Sequence, residues 1–234
     1  MDPTANTSAL PDRLRILNNN ALKLIAVLSM TIDHVGFILF PGAMWLRCIG
    51  RLAFPIYAFL ITEGYVHTHN VRRYMLRLGL LALVSEIPFN LAVSNTITNP
   101  GSQNIFWTLL LGLLAIWAMD LCRQRLPVHL WSLSLLPVPV ACVAAVVLNT
   151  DYNCYGVLII CLFYVARQQP LMQFVSIGVL QYLMGYIQLW GQLAFVPIFL
   201  YNGKKGRSGK LLQWLFYFYY PVHLLILAIL ARYI

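Results

Sequence analysis

The chain has 234 residues, of which 60% are hydrophobic and 10% are charged, and its mean hydropathy is +0.74. Water-soluble domains contain about 45–50% apolar and about 25% charged residues. The composition therefore excludes a soluble globule, a disordered chain and a disulfide-rich secreted domain, and it predicts an integral membrane protein. The five cysteines form no C-x-x-C pair, so the sequence indicates neither a zinc motif nor a redox motif.

Continuous apolar runs between short polar breaks predict transmembrane α-helices rather than the alternating strands of a membrane barrel. At about 20 residues a span, the all-α bundle has room for eight to ten helices, and the runs mark nine. The first twenty residues are polar and predict a short lead-in, and residues 21–234 form a single transmembrane domain. The predicted spans are residues 21–40, 46–66, 71–93, 105–122, 128–148, 152–166, 170–187, 189–201 and 211–233.

The distribution of basic residues predicts a cytoplasmic N-terminus. With that orientation, 13 of the 16 lysines and arginines lie in inner loops or at inner helix ends: Arg13, Arg15, Lys23, Arg72, Arg73, Arg77, Arg123, Arg125, Arg167, Lys204, Lys205, Arg207 and Lys210. The outer side keeps Arg47, Arg51 and Arg232. This is the positive-inside pattern, and it explains the net charge of +9 without a nucleic-acid partner.

Ionisable residues inside the predicted spans are the main functional signal, because burying such groups in a membrane is expensive. His34 follows Lys23 by eleven residues, or about 16 Å at 1.5 Å per residue, which is close to the middle of a core about 30 Å thick. The same counting places Glu63 near the inner face. Five of these residues are predicted to lie in one layer of the membrane, at its centre or slightly toward its outer side: Asp33, His34, Arg51, Glu86 and His223.

His34 is the candidate general base, since a neutral imidazole exchanges protons near pH 7. Asp33 points about 100° away from His34 on the helix, so a carboxylate from another helix, such as Glu86, fits the role of orienting the imidazole better. Purely structural ion pairs, Asp33–Arg51 or Glu86–Arg51, are the alternative. Prolines near Arg51, Glu86 and His223 predict kinked helices around a polar cavity.

Several stretches resemble one known family. Residues 22–36 (LKLIAVLSMTIDHVG) are similar to the opening of the TraX family, named for the F-pilin acetylase. Further similar stretches are residues 46–56 (LRCIGRLAFPI) running to Glu63 and Gly64, then 85–90 (SEIPFN), 104–112 (NIFWTLLLG), 155–156 (YG) and 220–223 (YPVH). Lys23 and His34, with ten residues between them, also resemble the arginine–ten–histidine element of the larger transmembrane acyltransferase superfamily, which acetylates O-antigen and heparan sugars.

The resemblance implies an acetyl-CoA-dependent acetyltransferase in the bacterial inner membrane, with acetyl-CoA as co-substrate and no metal. The acceptor would be an amine, such as a pilin-like peptide N-terminus, in preference to a hydroxyl. The expected catalytic residues are His34, Asp33, Glu86, Arg51 and His223. The CoA phosphates would meet inner basic residues: Lys23, Arg72, Arg73, Arg77, Lys204 and Lys205.

Two other functions remain open at this stage. A proton-coupled transporter of a small solute would also use buried acidic and histidine side chains. Such transporters are often built from internal repeats with paired broken helices, and no repeat is evident in this sequence. A non-catalytic assembly subunit is a third possibility, but it does not explain five ionisable groups in one layer.

Overall fold

The computed structural model describes residues 11–206 and 209–233, and this part of the chain is built from helices, without strands. Half of the predicted lead-in, residues 1–10, lies outside the described residues. The other half contains a short 3-10 turn, Asp12–Leu14, and the first helix starts at Asn19. Asn18 caps that helix, because its side-chain oxygen accepts a hydrogen bond of 3.0 Å from the backbone N–H of Ala21.

Ten α-helices and two longer 3-10 segments follow the lead-in within the described residues. The α-helices are α1 (Asn19–Ile38), α2 (Met44–Gly50), α3 (Ala53–His67), α4 (Val71–Ser94), α5 (Ile105–Arg125), α6 (Pro137–Val147), α7 (Asn153–Val165), α8 (Pro170–Met184), α9 (Phe195–Phe199) and α10 (Lys210–Leu230). The 3-10 segments, Val128–Leu135 and Tyr186–Ala194, lead into α6 and α9.

Six helical stretches are long and apolar enough to cross a membrane within the described residues: Asn19–Ile38, Met44–His67, Val71–Ser94, Ile105–Arg125, Val128–Val147 and Leu212–Leu230. Shorter apolar helices occupy the sixth, seventh and eighth predicted spans: Asn153–Val165, Pro170–Met184 and Tyr186–Phe199. The all-helical membrane fold is therefore confirmed, whereas the number of crossings and the orientation of the N-terminus stay predictions.

The second predicted span is divided into two helices, α2 and α3, because the chain bends at Arg51 and Leu52. Pro55 has no N–H to donate to the Arg51 carbonyl, and its ring would clash with that carbonyl in a continuous helix. The bend leaves the Arg51 side chain inside the bundle, between α1 and the turn that precedes α7.

The core of the bundle lies where α3, α5 and α7 meet. Ile56, Leu113 and Ile160, one from each helix, are 0% exposed. Gly112 of α5 faces Ile160 so closely that a Cβ atom there would overlap that side chain, and the two helices approach each other at this point. Many large apolar side chains face outward instead, among them Leu83, Val140 and Leu171, which suits a surface covered by lipid.

Backbone contacts between loops mark two distinct ends of the bundle. One end, called the basic end, holds Glu63, Arg167 and the loop at 200–206, joined by contacts such as Leu17 N–H to Leu200 O at 2.9 Å. The opposite end holds the loops at 39–43, 95–104 and 148–152, joined by Gln103 N–H to Asn149 O at 2.9 Å.

Candidate active site

Two histidines from the first and last helices meet inside the bundle. Nδ1 of His34 lies 2.8 Å from Nε2 of His223, and Nδ1 of His223 lies 2.9 Å from the backbone oxygen of Tyr219. The two imidazole rings are stacked, with centroids 5.0 Å apart. His34 and His223, which helix rise places in the same layer, are therefore in direct contact although they are 189 positions apart in the sequence.

The hydrogen-bond pattern fixes the tautomers of both neutral rings. A backbone oxygen only accepts, so Nδ1 of His223 carries the hydrogen and its Nε2 is an acceptor. Nδ1 of His34 must then donate to that Nε2, which leaves Nε2 of His34 without a hydrogen and with its lone pair available. A neutral histidine with an unprotonated, uncommitted nitrogen is what general-base catalysis requires.

Next to the histidines, one carboxylate is shared between two arginines. Nη2 of Arg51 lies 2.5 Å from each oxygen of Asp33, and Nη1 of Arg47 lies 3.0 Å from one of them. Arg47 also stacks over the Phe37 ring at 4.7 Å. The structure thus forms the Asp33–Arg51 pair that the sequence offered as an alternative, and it adds Arg47.

A glycine makes this ion pair possible. A Cβ atom on Gly50 would overlap the Asp33 carboxylate and Cβ, so only a residue without a side chain leaves room for Asp33 between α1 and α2. The pair is well shielded, with side-chain exposures of 9% for Arg51 and 13% for Asp33.

Two cavities approach the histidine pair from opposite directions. The larger, about 550 Å³, opens at the basic end and runs between α1, α3, α4, α5 and α10. The smaller, about 220 Å³, lies toward the opposite end and is lined by Asp33, His34, Arg47, Arg51 and Asp151 among others. Four side chains line both cavities and form the wall between them: Met30, Tyr57, Ile105 and Tyr220.

The predicted CoA-binding residues divide into two groups. Lys23, Arg77 and Lys205 line the larger cavity, and Lys23 lies over the Phe216 ring at 5.8 Å. The remaining three, Arg72, Arg73 and Lys204, lie outside the lining of that cavity. Three of the six basic residues predicted to bind CoA therefore line this cavity.

Glu86 belongs to a separate cluster. Its carboxylate accepts hydrogen bonds from the Asn104 side chain and, at 3.2 Å, from Nε1 of Trp107, and it lines neither cavity. The expectation that Glu86 orients His34 does not match this geometry, because His223 occupies that position on the His34 ring. Glu63 lies at the basic end, paired with Arg167 at 2.8 Å.

Asp151 and Tyr152 line the smaller cavity but are not among the site residues predicted from the sequence. Both lie in the turn between α6 and α7: Asp151 falls in the predicted loop, and Tyr152 is the first residue of the sixth predicted span. Burial raises the pKa of the Asp151 carboxyl to about 6, and the nearby Arg51 guanidinium offsets only part of that rise. The sequence signal for an unusual turn here was the cluster of asparagine and aspartate in a short loop, because these residues tolerate left-handed backbone.

Comparison with known proteins gives one family and two relatives. The family model described as "TraX protein" matches residues 18–231. A "Probable fimbrial assembly protein FimC, serogroup H1" from Dichelobacter nodosus is 26% identical over 237 aligned residues, covering 88% of this chain and 92% of the relative. An uncharacterized protein of Rickettsia prowazekii (strain Madrid E) is 50% identical over 44 residues, which are 19% of this chain and 17% of that protein. No solved structure matches significantly.

Proposed function

The chain belongs to the TraX family, and from that premise we propose that it is a membrane-embedded acetyltransferase with His34 as its general base. In this proposal acetyl-CoA binds in the larger cavity and the acceptor binds in the smaller one. The main support for the proposal is the chain of hydrogen bonds from the Tyr219 carbonyl through His223 to His34. This chain leaves Nε2 of His34 unprotonated, and His34 lines the smaller cavity next to the wall that the two cavities share.

The larger cavity suits the donor. Its volume of about 550 Å³ falls within the range of about 300–1,000 Å³ typical of small-molecule sites. Lys23, Arg77 and Lys205 would bind the phosphates of CoA at the basic end. The pantetheine arm would then extend along the cavity and present the thioester to the wall formed by Met30 and Tyr57.

The smaller cavity suits the end of an acceptor chain. A water molecule takes about 30 Å³ of liquid volume, so 220 Å³ is the space of about seven waters. A folded protein cannot enter such a space, but a terminal residue can. The proposed acceptor is a pilin-like peptide N-terminus, an amine in preference to a hydroxyl, and the name of the Dichelobacter relative connects that protein with fimbrial assembly.

The transfer itself needs few steps. The neutral acceptor amine attacks the thioester carbonyl carbon, and Nε2 of His34 takes one proton from that nitrogen. The carbon–sulfur bond then breaks, the departing CoA thiolate takes the proton from His34, and an amide remains. Arg51 and Arg47 provide positive charge near the developing oxyanion, and the Tyr57 hydroxyl, in the shared wall, can donate to it. His223 is a positioning residue, because both of its ring nitrogens are already engaged.

The proposal also places the protein in a bacterial inner membrane with its N-terminus in the cytoplasm. CoA is a cytoplasmic compound, so the basic end must face the cytoplasm for the larger cavity to receive it. The positive-inside pattern of the loops supports the same orientation.

Purified protein incubated with acetyl-CoA labelled on the acetyl group tests the proposal through release of free CoA and transfer of the label. His34→Gln should lower the rate by about 100-fold or more, the usual contribution of a general base. His129→Gln is the matched control, because His129 is exposed in the 3-10 segment before α6 and lines neither cavity. Equal rates in all three proteins would contradict the proposal, and failure to bind acetyl-CoA would favour the transporter.

His223→Gln separates positioning from direct chemistry. The variant should lower kcat while the KM for acetyl-CoA stays unchanged, since His223 lines neither cavity. The acid limb of the kcat-against-pH profile should also move, because the hydrogen-bond partner of the His34 ring has changed. A loss confined to KM would contradict the assignment.

A further inference from the structure

The turn between α6 and α7 has an unusual backbone. Two of its residues and the first residue of α7 have left-handed backbone angles, with φ of 51° at Asn149, 59° at Tyr152 and 49° at Asn153. Residues with a side chain rarely adopt this conformation, and for a bulky residue such as Tyr152 it is a true outlier. Such backbone persists only where its surroundings enforce it, and it occurs preferentially at functional sites.

Contacts from the loop at 95–104, from α5 and from α3 hold this turn in place. The backbone of Gln103 accepts from the Asp151 N–H at 3.0 Å, and the Thr108 hydroxyl donates to the Asp151 carbonyl. The Tyr152 ring stacks on Phe54 with centroids 3.9 Å apart. The turn is therefore fixed from both sides, and it brings the Asp151 carboxylate to the lining of the smaller cavity.

Asp151 differs from the other carboxylate of that cavity. Both oxygens of Asp33 contact Arg51. Oδ1 of Asp151 accepts a hydrogen bond of 3.0 Å from the Tyr152 N–H, and within the described residues the carboxylate has no ion-pair partner. Asp151 is thus the carboxylate of the smaller cavity with capacity to accept another donor.

The charges around Asp151 permit a cationic ligand only when that carboxylate is ionised. Arg47 and Arg51 carry two positive charges, and Asp33 lies directly between them. The titratable groups facing the cavity from the other elements, His34 and Tyr152, are neutral in the arrangement described above. With Asp151 ionised the cluster has no net charge, so a cationic ligand meets no net repulsion there.

We propose that Asp151 binds the amino group of the acceptor and is the residue by which the smaller cavity selects a primary amine over a hydroxyl. This assignment rests on the proposed acetyl transfer. The α-amino group of a peptide has a pKa of about 8, so near pH 7 it arrives mainly as an ammonium that a carboxylate can bind. The ammonium then gives one proton to the carboxylate that binds it, because only the neutral amine can attack the thioester. A hydroxyl in the same place offers no charge to Asp151.

Two probes of matched shape test the assignment: trialanine amide, which begins with an amine, and its lactoyl analogue, which begins with a hydroxyl. Acetyl transfer to each is measured for the wild type and for Asp151→Asn, which can still accept from the Tyr152 N–H. The variant should lose about 10-fold or more of its kcat/KM for the amine probe, as expected for one charge-assisted hydrogen bond. Its kcat/KM for the hydroxyl probe should change by less than about twofold.

Asp120→Asn is the matched control, because that carboxylate binds the hydroxyls of Tyr65 and Tyr164 and lines neither cavity. It should leave the ratio of amine to hydroxyl transfer unchanged. The unfolding temperature with each probe is measured in parallel, and the amine probe should raise it in the wild type but not in Asp151→Asn.

The outcomes separate this assignment from the proposed function. His34-dependent release of CoA together with an unchanged amine preference in Asp151→Asn would overturn the role of Asp151 and leave acetyl transfer standing. The role of Asp151 is equally overturned if the amine probe is neither acetylated nor stabilising in the wild type. Absence of any His34-dependent release of CoA would instead count against acetyl transfer itself.

Discussion

Replacing Asp33 by asparagine should destabilise the bundle strongly, because the Arg51 guanidinium then stays buried without its anion. The Arg51 side chain is 9% exposed, and both of its contacts with the carboxylate measure 2.5 Å. Removing one partner of a buried ion pair costs about 3–5 kcal/mol. Arg47 is more exposed, at 21%, and keeps its stacking on Phe37, so its share of the loss is smaller.

The loss can be measured as a change in unfolding temperature. For a chain of this length about 1 kcal/mol corresponds to about 2–4 °C, so Asp33→Asn should unfold about 6–20 °C below the wild type. Intrinsic fluorescence during heating of the detergent-solubilised protein gives this value directly, provided that all variants are compared in the same detergent.

A second variant makes the reasoning falsifiable. Adding Arg51→Met to Asp33→Asn removes the unpaired charge, and the double variant should regain most of the lost stability, because apolar replacements of buried ion pairs are often neutral. The reasoning is refuted if Asp33→Asn loses less than about 1 kcal/mol, the value of an exposed pair. It is also refuted if the double variant is no more stable than the single one.

Three further predictions follow from the site. Gly50→Ala should lower the unfolding temperature about as much as Asp33→Asn does, because the added Cβ would displace the Asp33 carboxylate. Gly42→Ala is the control: it has open space around it and should leave the unfolding temperature unchanged. Arg77→Ala should raise the KM for acetyl-CoA by about 10-fold or more, and Arg72→Ala, outside the larger cavity, should leave it unchanged. The pKa of Asp151 rises from 3.8 to about 6 on folding, so its stabilising effect is complete below about pH 4 and lost by about pH 6. The unfolding temperatures of the wild type and Asp151→Asn should diverge over that window and differ by a constant amount at higher pH.

The sequence carried enough information for the helical class and for most of the central layer. Long apolar runs are detectable without tertiary information, and helix rise placed His34 and His223 at similar depth. Depth does not say which helices are neighbours, so the contact between the two histidines and the absence of Glu86 from it required the structure.

The remaining differences have local causes. Proline divides the predicted second span at Arg51, and 3-10 segments replace the first half of the spans that end in α6 and α9. Asp151 escaped the sequence analysis because it lies between two apolar runs, where residues are expected to face water. Its burial comes from contacts with Gln103 and Thr108, which no periodicity reveals.

The wall of four side chains between the two cavities has an electrical consequence. If both cavities hold water, most of the membrane potential falls across Met30, Tyr57, Ile105 and Tyr220 instead of across the whole bilayer. A unit charge crossing that thin barrier works against about 2.3 kcal/mol per 100 mV, whereas a neutral acetyl group crosses without electrical work. In the proposed transfer, an acetyl group therefore passes this wall without electrical work, whereas an ion meets the full potential there.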